Sequence, residues 1–342
     1  AKNEKKIQDY SNTQNILKSY LDNQERDIFI KSIINRGGFN HIYSISPTKN
    51  HTKDNNLVIR ISNEDTSSDL VQDELKGTKI QYFLCGLTEN IGCVIDYGYI
   101  MKPQINKLSR VVNEYSINNK YGITLTKFLN SNKDKVIFKN LTPIVQFLKE
   151  LLQTIMIIHK NNYVHLDLKP CNILLSKNMK STYNKAECSK IDFVIIDFGA
   201  AKQIDHDKSI TIDEQTGSPA FSPPEMKNQK FGKKTDIWAY GIISYLMFLR
   251  KFYFDANAKD LFMDLTIDNI EDKLYSNLQN IWSDDKIFNN LSKNEFNKFS
   301  QPYSKNNQRL LIHFFKTIFR FHSSDRPNSK LLLDHPIFTY LS

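Results

Sequence analysis

Residues 164–172 read Val164-His165-Leu166-Asp167-Leu168-Lys169-Pro170-Cys171-Asn172, a short string that holds a carboxylate, an ammonium and an amide. It follows an apolar helical pattern and precedes the strand-like Ile173-Leu174-Leu175. Farther on, the apolar run Val194-Ile195-Ile196 ends in Asp197-Phe198-Gly199. An apolar strand ending in an Asp, with a glycine that lets the chain turn, places a second carboxylate at the mouth of a cleft. The set suits phosphoryl transfer: Asp167 as the base that orients a hydroxyl, Lys169 as a cation on the moving phosphoryl group, Asn172 and Asp197 as a pair holding Mg²⁺. The spacing H-x-D-x-K-x-x-N arises by chance in about one in several hundred chains of this length.

Working outward from the string, residues 144–159 carry apolar side chains at 144, 147, 148, 151, 152, 155 and 158, the stripe of a buried helix. Residues 236–249 are apolar nearly all round, as a helix at the centre of a lobe would be, and 309–321 and 329–333 read as further helices. Before the string the texture is different. Short β-prone runs at 29–34, 42–45, 57–61, 93–99 and 110–115 are interrupted by one polar helix candidate, 68–84. The reading is an α+β chain with a small β-rich lobe and a larger α-helical lobe, joined near 114–121. Residues 1–27 suit a short amphipathic helix, and the polar stretches 177–190 and 277–305 read as surface insertions.

Composition sets the outer bounds. The chain has 342 residues, 40% hydrophobic and 12% aromatic, enough for a sizeable core and too much for a disordered chain or a fibre. Four cysteines without CxxC pairing argue against a disulfide framework or a zinc site and point to an intracellular, cytoplasmic setting. No apolar run has the length of a membrane span. The net charge of +9 comes from scattered Lys and Arg without a basic run, which favours a solvated surface over nucleic-acid binding. Glycine, at 11 residues, is about half its usual share, and two of the eleven are adjacent, Gly37-Gly38.

From about residue 28 to 338 the chain resembles the eukaryotic-type protein kinases. The catalytic-loop pattern H-R-D-x-K-x-x-N is met at His165, Asp167, Lys169 and Asn172, and D-F-G at Asp197-Phe198-Gly199. A-P-E is met as Pro223-Pro224-Glu225, and D-x-W-x-x-G as Asp236-Ile237-Trp238-Ala239-Tyr240-Gly241. Arg326 resembles the late Arg that pairs with the A-P-E Glu. These motifs occur in family order, and sugar and antibiotic kinases of related fold lack A-P-E and D-x-W-x-x-G. The resemblance implies a two-lobed kinase domain over 28–341, with lobes 28–116 and 117–341, after an N-terminal extension 1–27. It implies ATP and Mg²⁺ as cofactors and protein substrates with Ser/Thr acceptors. Lys169 and the segment Thr216-Gly217-Ser218-Pro219-Ala220-Phe221-Ser222 are in Ser/Thr-kinase form, with Ser218 where a hydroxyl contacts Asp167 and Lys169. His165 is implied to brace the loop rather than carry a proton.

The same resemblance assigns the nucleotide site. Asn35, Gly37 and Gly38 belong to the loop over the phosphates and Ile42 follows it. Arg60 and Glu74 position the nucleotide, Glu114 to Ser116 form the hinge that receives adenine, and Asn113 guards the back pocket. There are departures. Asn35 and Asn40 stand for two loop glycines, and Asn tolerates a positive φ better than other side chains. Arg60 stands where the third strand carries Lys, an exchange that is not conservative at a shaped site, and losing such a contact costs about 10²–10³ in rate. Thr78, one helical turn after Glu74, stands where an apolar residue is expected. Leu166 replaces the Arg that receives an activation-loop phosphate, so switching by that contact is not expected, although Ser209, Thr211, Thr216 and Ser222 are phosphorylatable. Two readings stay open: a Ser/Thr kinase, or a pseudokinase that binds nucleotide or partners without efficient transfer. Binding of nucleic acid has only net charge behind it.

Overall fold

Alternating β-branched and aromatic residues build the first part of the chain into strands β1 (Phe29–Arg36), β2 (Asn40–Ser46), β3 (Leu57–Ser62), β4 (Val94–Gln104) and β5 (Lys107–Asn119). They form one antiparallel sheet in the order β1-β2-β3-β5-β4. The computed structural model describes residues 28–36, 40–46, 57–62, 68–104, 107–131, 141–176, 190–205, 209–211, 217–225, 229–249 and 305–340. The expected N-terminal helix, Gly37 and Gly38, and all but the last residue of each expected insertion lie outside them.

Side chains alternate across a sheet with period two, and that alternation decides what Arg60 meets. Tyr43, Ile45, Ile59, Ile61, Ile100, Tyr115 and Ile117 form one buried cluster. Val58, Arg60 and Ser62 therefore share the opposite face with Glu114, Ser116 and Asn118. In the register, Arg60 lies opposite Ile42 on one side and Ser116 on the other. Helix α1 (Ser68–Cys85) buries Leu75, Thr78, Gln81 and Leu84, a stripe of four residues spaced three apart, and Gln81 Nε2 donates to Gly92 O at 2.8 Å.

The chain divides into two compact units after Tyr121, with Ile196–Gly199 grouped with the first. This differs from the expected boundary at residue 116. The alternation continues through Ser116-Ile117-Asn118, so β5 runs on to Asn119 and Glu114 and Ser116 sit inside it, each 2% exposed. The positions read as a hinge are thus buried strand residues, five to three residues before the last one of β5. Asn113, also buried, donates from Nδ2 to Ser62 O at 2.5 Å.

The second unit is built on helices. After the short α2 (Leu125–Ser131) comes α3 (Thr142–Lys160), which starts with a proline in its first turn, where the missing N–H is harmless. It buries Ile144, Phe147, Leu148, Leu151, Leu152, Ile155 and Ile158, and each such side chain contributes roughly 1.5–3 kcal/mol. Small strand pairs follow: β6 (Tyr163–Val164) with β9 (Lys202–Gln203), β7 (Ile173–Leu175) with β8 (Phe193–Ile195), and β10 (Ile210–Thr211) with β11 (Lys230–Phe231). Helix α4 (Lys233–Leu249) is buried on all sides. Gly241 lets it meet α5 (Lys305–Ile318) closely, because a Cβ there would lie 2.5 Å from Ile318 Cγ2. Helix α5 starts and ends earlier than the sequence suggests. Helices α6 (Ser329–Leu333) and α7 (Ile337–Tyr340) complete the unit. Among the described residues, no helix is long and apolar enough to cross a membrane.

Between α6 and α7, His335 accepts the Ile337 N–H on Nδ1 at 3.1 Å, so its own proton sits on Nε2 and donates to His313 Nδ1 at 2.8 Å. Burial, then the nearby His313 charge, push the His335 pKa from 6.5 down to about 4. The unfolded chain therefore takes up this proton at higher pH than the folded one, and stability falls as pH drops from about 6.5 toward 4. Urea midpoints at pH 7.5, 6 and 5 should decrease in that order, with a shallower slope in a His335→Asn variant.

Candidate active site

The loop after β6 is shaped by one buried carboxylate. Asp236, in the first turn of α4, accepts the N–H of His165 on Oδ2 and the N–H of Leu166 on Oδ1, each at 2.9 Å. His159, in the last turn of α3, meets Oδ2 at 2.9 Å. Burial pushes the Asp236 pKa up, but the His159 hydrogen bond and charge, with the charge and N–H of His165, outweigh it and hold the carboxyl below its usual range. Leu166 is thereby held at φ 63°, a conformation that costs a non-glycine residue roughly 1–3 kcal/mol. Gly217, at φ 79°, packs against it, and a Cβ there would lie 2.4 Å from Leu166 O.

This turn presents the polar set. Lys169 Nζ donates to Asp167 Oδ2 at 2.6 Å and to Ser218 Oγ at 2.8 Å, while Ser218 Oγ donates to Asp167 Oδ1 at 2.9 Å. Asn172, in the single turn Pro170–Asn172, donates from Nδ2 to Asp167 O at 2.9 Å and to Oδ2 at 3.1 Å. That directs the Asn172 amide N–H₂ at Asp167 and leaves its carbonyl oxygen as the atom to offer a hard cation. A recess beside the set is lined by Leu168, Phe221, Phe231 and Ala239 among others.

The second unit also holds two supports. Arg326 is fully buried, pairs with Glu225 through two bonds of 2.5 and 2.6 Å, and lies 4.7 Å from the Trp238 ring centre. Leu166 packs with Val164, Ile204 and Phe231 in a small buried cluster.

In the first unit, Arg60 Nη1 lies 3.7 Å from Asp197 Oδ1, and Nη2 lies 3.7 Å from Glu114 Oε1. The same Glu114 oxygen accepts the Thr78 hydroxyl at 2.7 Å. Asp197 has φ 67°, and its carboxylate is 42% exposed, which suits a hard-cation ligand. Phe198 is buried, and Gly77 of α1 lies so close that a Cβ there would stand 2.3 Å from Phe198 O.

The expected residues thus fall into two groups. Asp167, Lys169, Asn172 and Ser218 meet in the second unit, and Arg60 and Asp197 meet in the first. Ile42 and Asn35 pair across β1 and β2, with Ile42 beside Arg60. Glu74 lies on α1 with its side chain outside the described ones. Among the described side chains, Glu114, which the sequence reading had placed in a hinge, is a carboxylate at Arg60 besides Asp197. Thr78 and Gly77 were missed as contributors. The signal for Thr78 was its polarity on a buried stripe, and for Gly77 a glycine inside a helix of a glycine-poor chain.

The family model described as Protein kinase domain matches residues 30–338. Calcium-dependent protein kinase 6 of Plasmodium berghei is 29% identical over 212 residues, 62% of this chain and 12% of that protein. Calcium/calmodulin-dependent protein kinase type 1 of Caenorhabditis elegans is 37% identical over 101 residues, 29% of this chain and 26% of that protein. The titin homolog of the same organism is 41% identical over 102 residues, 30% of this chain. The matched stretches span about a quarter or less of the length of these curated relatives.

Proposed function

The chain belongs to the protein kinase domain family, and from that premise we propose that it is a protein serine/threonine kinase that transfers the γ-phosphoryl group of ATP to Ser/Thr hydroxyls of protein substrates. The observation that carries this reading is the closed set Asp167–Lys169–Ser218 with Asn172 attached. An Asp167 carboxylate that already accepts a hydroxyl at 2.9 Å has the geometry to accept the hydrogen of a substrate hydroxyl and aim its oxygen. Lys169, held on that carboxylate, is placed to steady negative charge on the transferring group. Asn172 and Asp197 would hold Mg²⁺, which supplies charge neutralisation to the ATP phosphates. Arg60, with Ile42 beside it, would position the nucleotide, as would Glu74 and the loop of Asn35, Gly37 and Gly38. Lys120 and Tyr121, which follow β5, take over from Glu114 to Ser116 as the segment to receive adenine.

A second reading has one specific observation behind it. Arg60, in place of Lys, is committed to two carboxylates, as suits a pseudokinase that binds nucleotide as a scaffold. Incubation with labelled ATP, Mg²⁺ and generic protein substrates, beside an Asp167→Asn control, separates the two. Phosphoserine and phosphothreonine that depend on Asp167 are the expected products. Nucleotide binding without Asp167-dependent label would leave the scaffold reading in its place.

A further inference from the structure

We propose that Glu114, steadied by Thr78, is a positioning residue for Arg60: a carboxylate on the sheet, not only one on helix α1, holds the cation that grips the nucleotide phosphates. The inference rests on the nucleotide site proposed above and names how that site is aimed.

Two departures that look unrelated in sequence, Arg60 and Thr78, meet at one oxygen of Glu114. Glu114 Oε1 receives the Thr78 hydroxyl at 2.7 Å and faces Arg60 Nη2 at 3.7 Å. The carboxylate is 2% exposed, and a charge so buried needs a cation and hydrogen bonds to be tolerated. Thr78 supplies the hydroxyl from a helix stripe that otherwise wants hydrocarbon. The backbone is fixed as well, because the Glu114 N–H donates to Ser62 Oγ at 2.8 Å.

The register explains why the third-strand cation is Arg. Arg60 lies directly opposite Ser116, so Glu114 is its diagonal neighbour on the same face, about 7–8 Å away and within reach only of a long side chain. The guanidinium fork then spans two carboxylates with different nitrogens, Nη2 toward Glu114 and Nη1 toward Asp197. A lysine ammonium is a point charge on a shorter stem and lacks that fork. Arg60 is thus matched to a carboxylate on β5. Because β3 and β5 are hydrogen-bonded neighbours, the aim of Arg60 is set by sheet register.

The test is titration of the purified chain with a fluorescent N-methylanthraniloyl ADP and Mg²⁺, which reads affinity without requiring transfer. Glu114→Gln should weaken binding about tenfold, Thr78→Val less, and Thr78→Ser should restore it. In an Arg60→Met background, Glu114→Gln should weaken binding no further, which a purely structural role would not produce. Wild-type affinity in Glu114→Gln, or an equal loss in both backgrounds, overturns the proposal. If thermal melts show Glu114→Gln unfolded, Glu114→Asp takes its place with the same two criteria. A wild type that binds the probe but transfers no phosphate sinks the kinase reading alone, and one that binds no nucleotide overturns both.

Discussion

Asp236→Asn is expected to destabilise the protein by about 1.5–3 kcal/mol for each charge-assisted hydrogen bond that the buried carboxylate gives up. Asp236 is fully buried and accepts from His165, Leu166 and His159 at 2.9 Å each. An amide can accept on only one of its two atoms, so one of the two backbone N–H groups would face another donor. The loss would be felt first at Leu166, whose left-handed backbone has that hydrogen bond as its restraint. Asp167 follows directly in the chain, and a shift of about 1 Å at a reacting group can cost 10²-fold in rate. Urea unfolding and the phosphotransfer assay check the two halves. The acid limb should change too. The Asp236 carboxyl titrates below its usual range when folded, so its contribution is present above about pH 4 and is lost as pH falls through the lowered value. The Asn variant should lack that part of the acid unfolding.

Gly77→Ala should abolish most nucleotide-dependent activity while leaving a folded protein. In the interior of a helix this exchange normally stabilises by about 1 kcal/mol. Here the added carbon would stand 2.3 Å from Phe198 O, 2.6 Å from Phe198 C and 2.8 Å from Gly199 Cα. All three are backbone atoms, so no rotamer change relieves the clash, and overpacking of this kind costs about 1–3 kcal/mol. Either α1 or the segment after Asp197 must shift. Asp197 is already held at φ 67°, and moving its neighbours redirects its carboxylate. Activity falling by about 10²-fold or more, with a melting temperature lowered by only a few degrees, is the expected pair of results. An unchanged rate would mean that the segment adjusts without moving Asp197.

What could be read in the sequence was local. The string around Asp167 and the D-F-G triplet each carry their residues within a few positions, and the helix over Asp236 announces itself by hydrophobicity. The pairing of Arg326 with Glu225, 101 positions apart, was readable only through the resemblance. What could not be read depended on strand register. Nothing near Arg60 in the chain shows that Ser116 lies opposite it or that Glu114 lies on its diagonal. The end of β5 was misplaced because Glu114-Tyr115 reads as a strand terminus, whereas the alternation through Asn118 keeps the strand going. What Gly77 meets was hidden for a related reason: its neighbour, Phe198, is more than a hundred residues away.

The cluster of Leu166 with Val164, Ile204 and Phe231 bears on how the chain around Ile204 responds to its surroundings. A hold made by an arginine and a phosphate weakens as salt rises and vanishes when the phosphate is hydrolysed. A hold made of hydrocarbon ignores both, and it loosens in the cold instead, because apolar association is driven by water and fades on cooling. In this protein the apolar part of the restraint on that segment, which adds to the β6–β9 pairing and to the Ile204 N–H donated to Asn162 O, follows temperature rather than ionic strength.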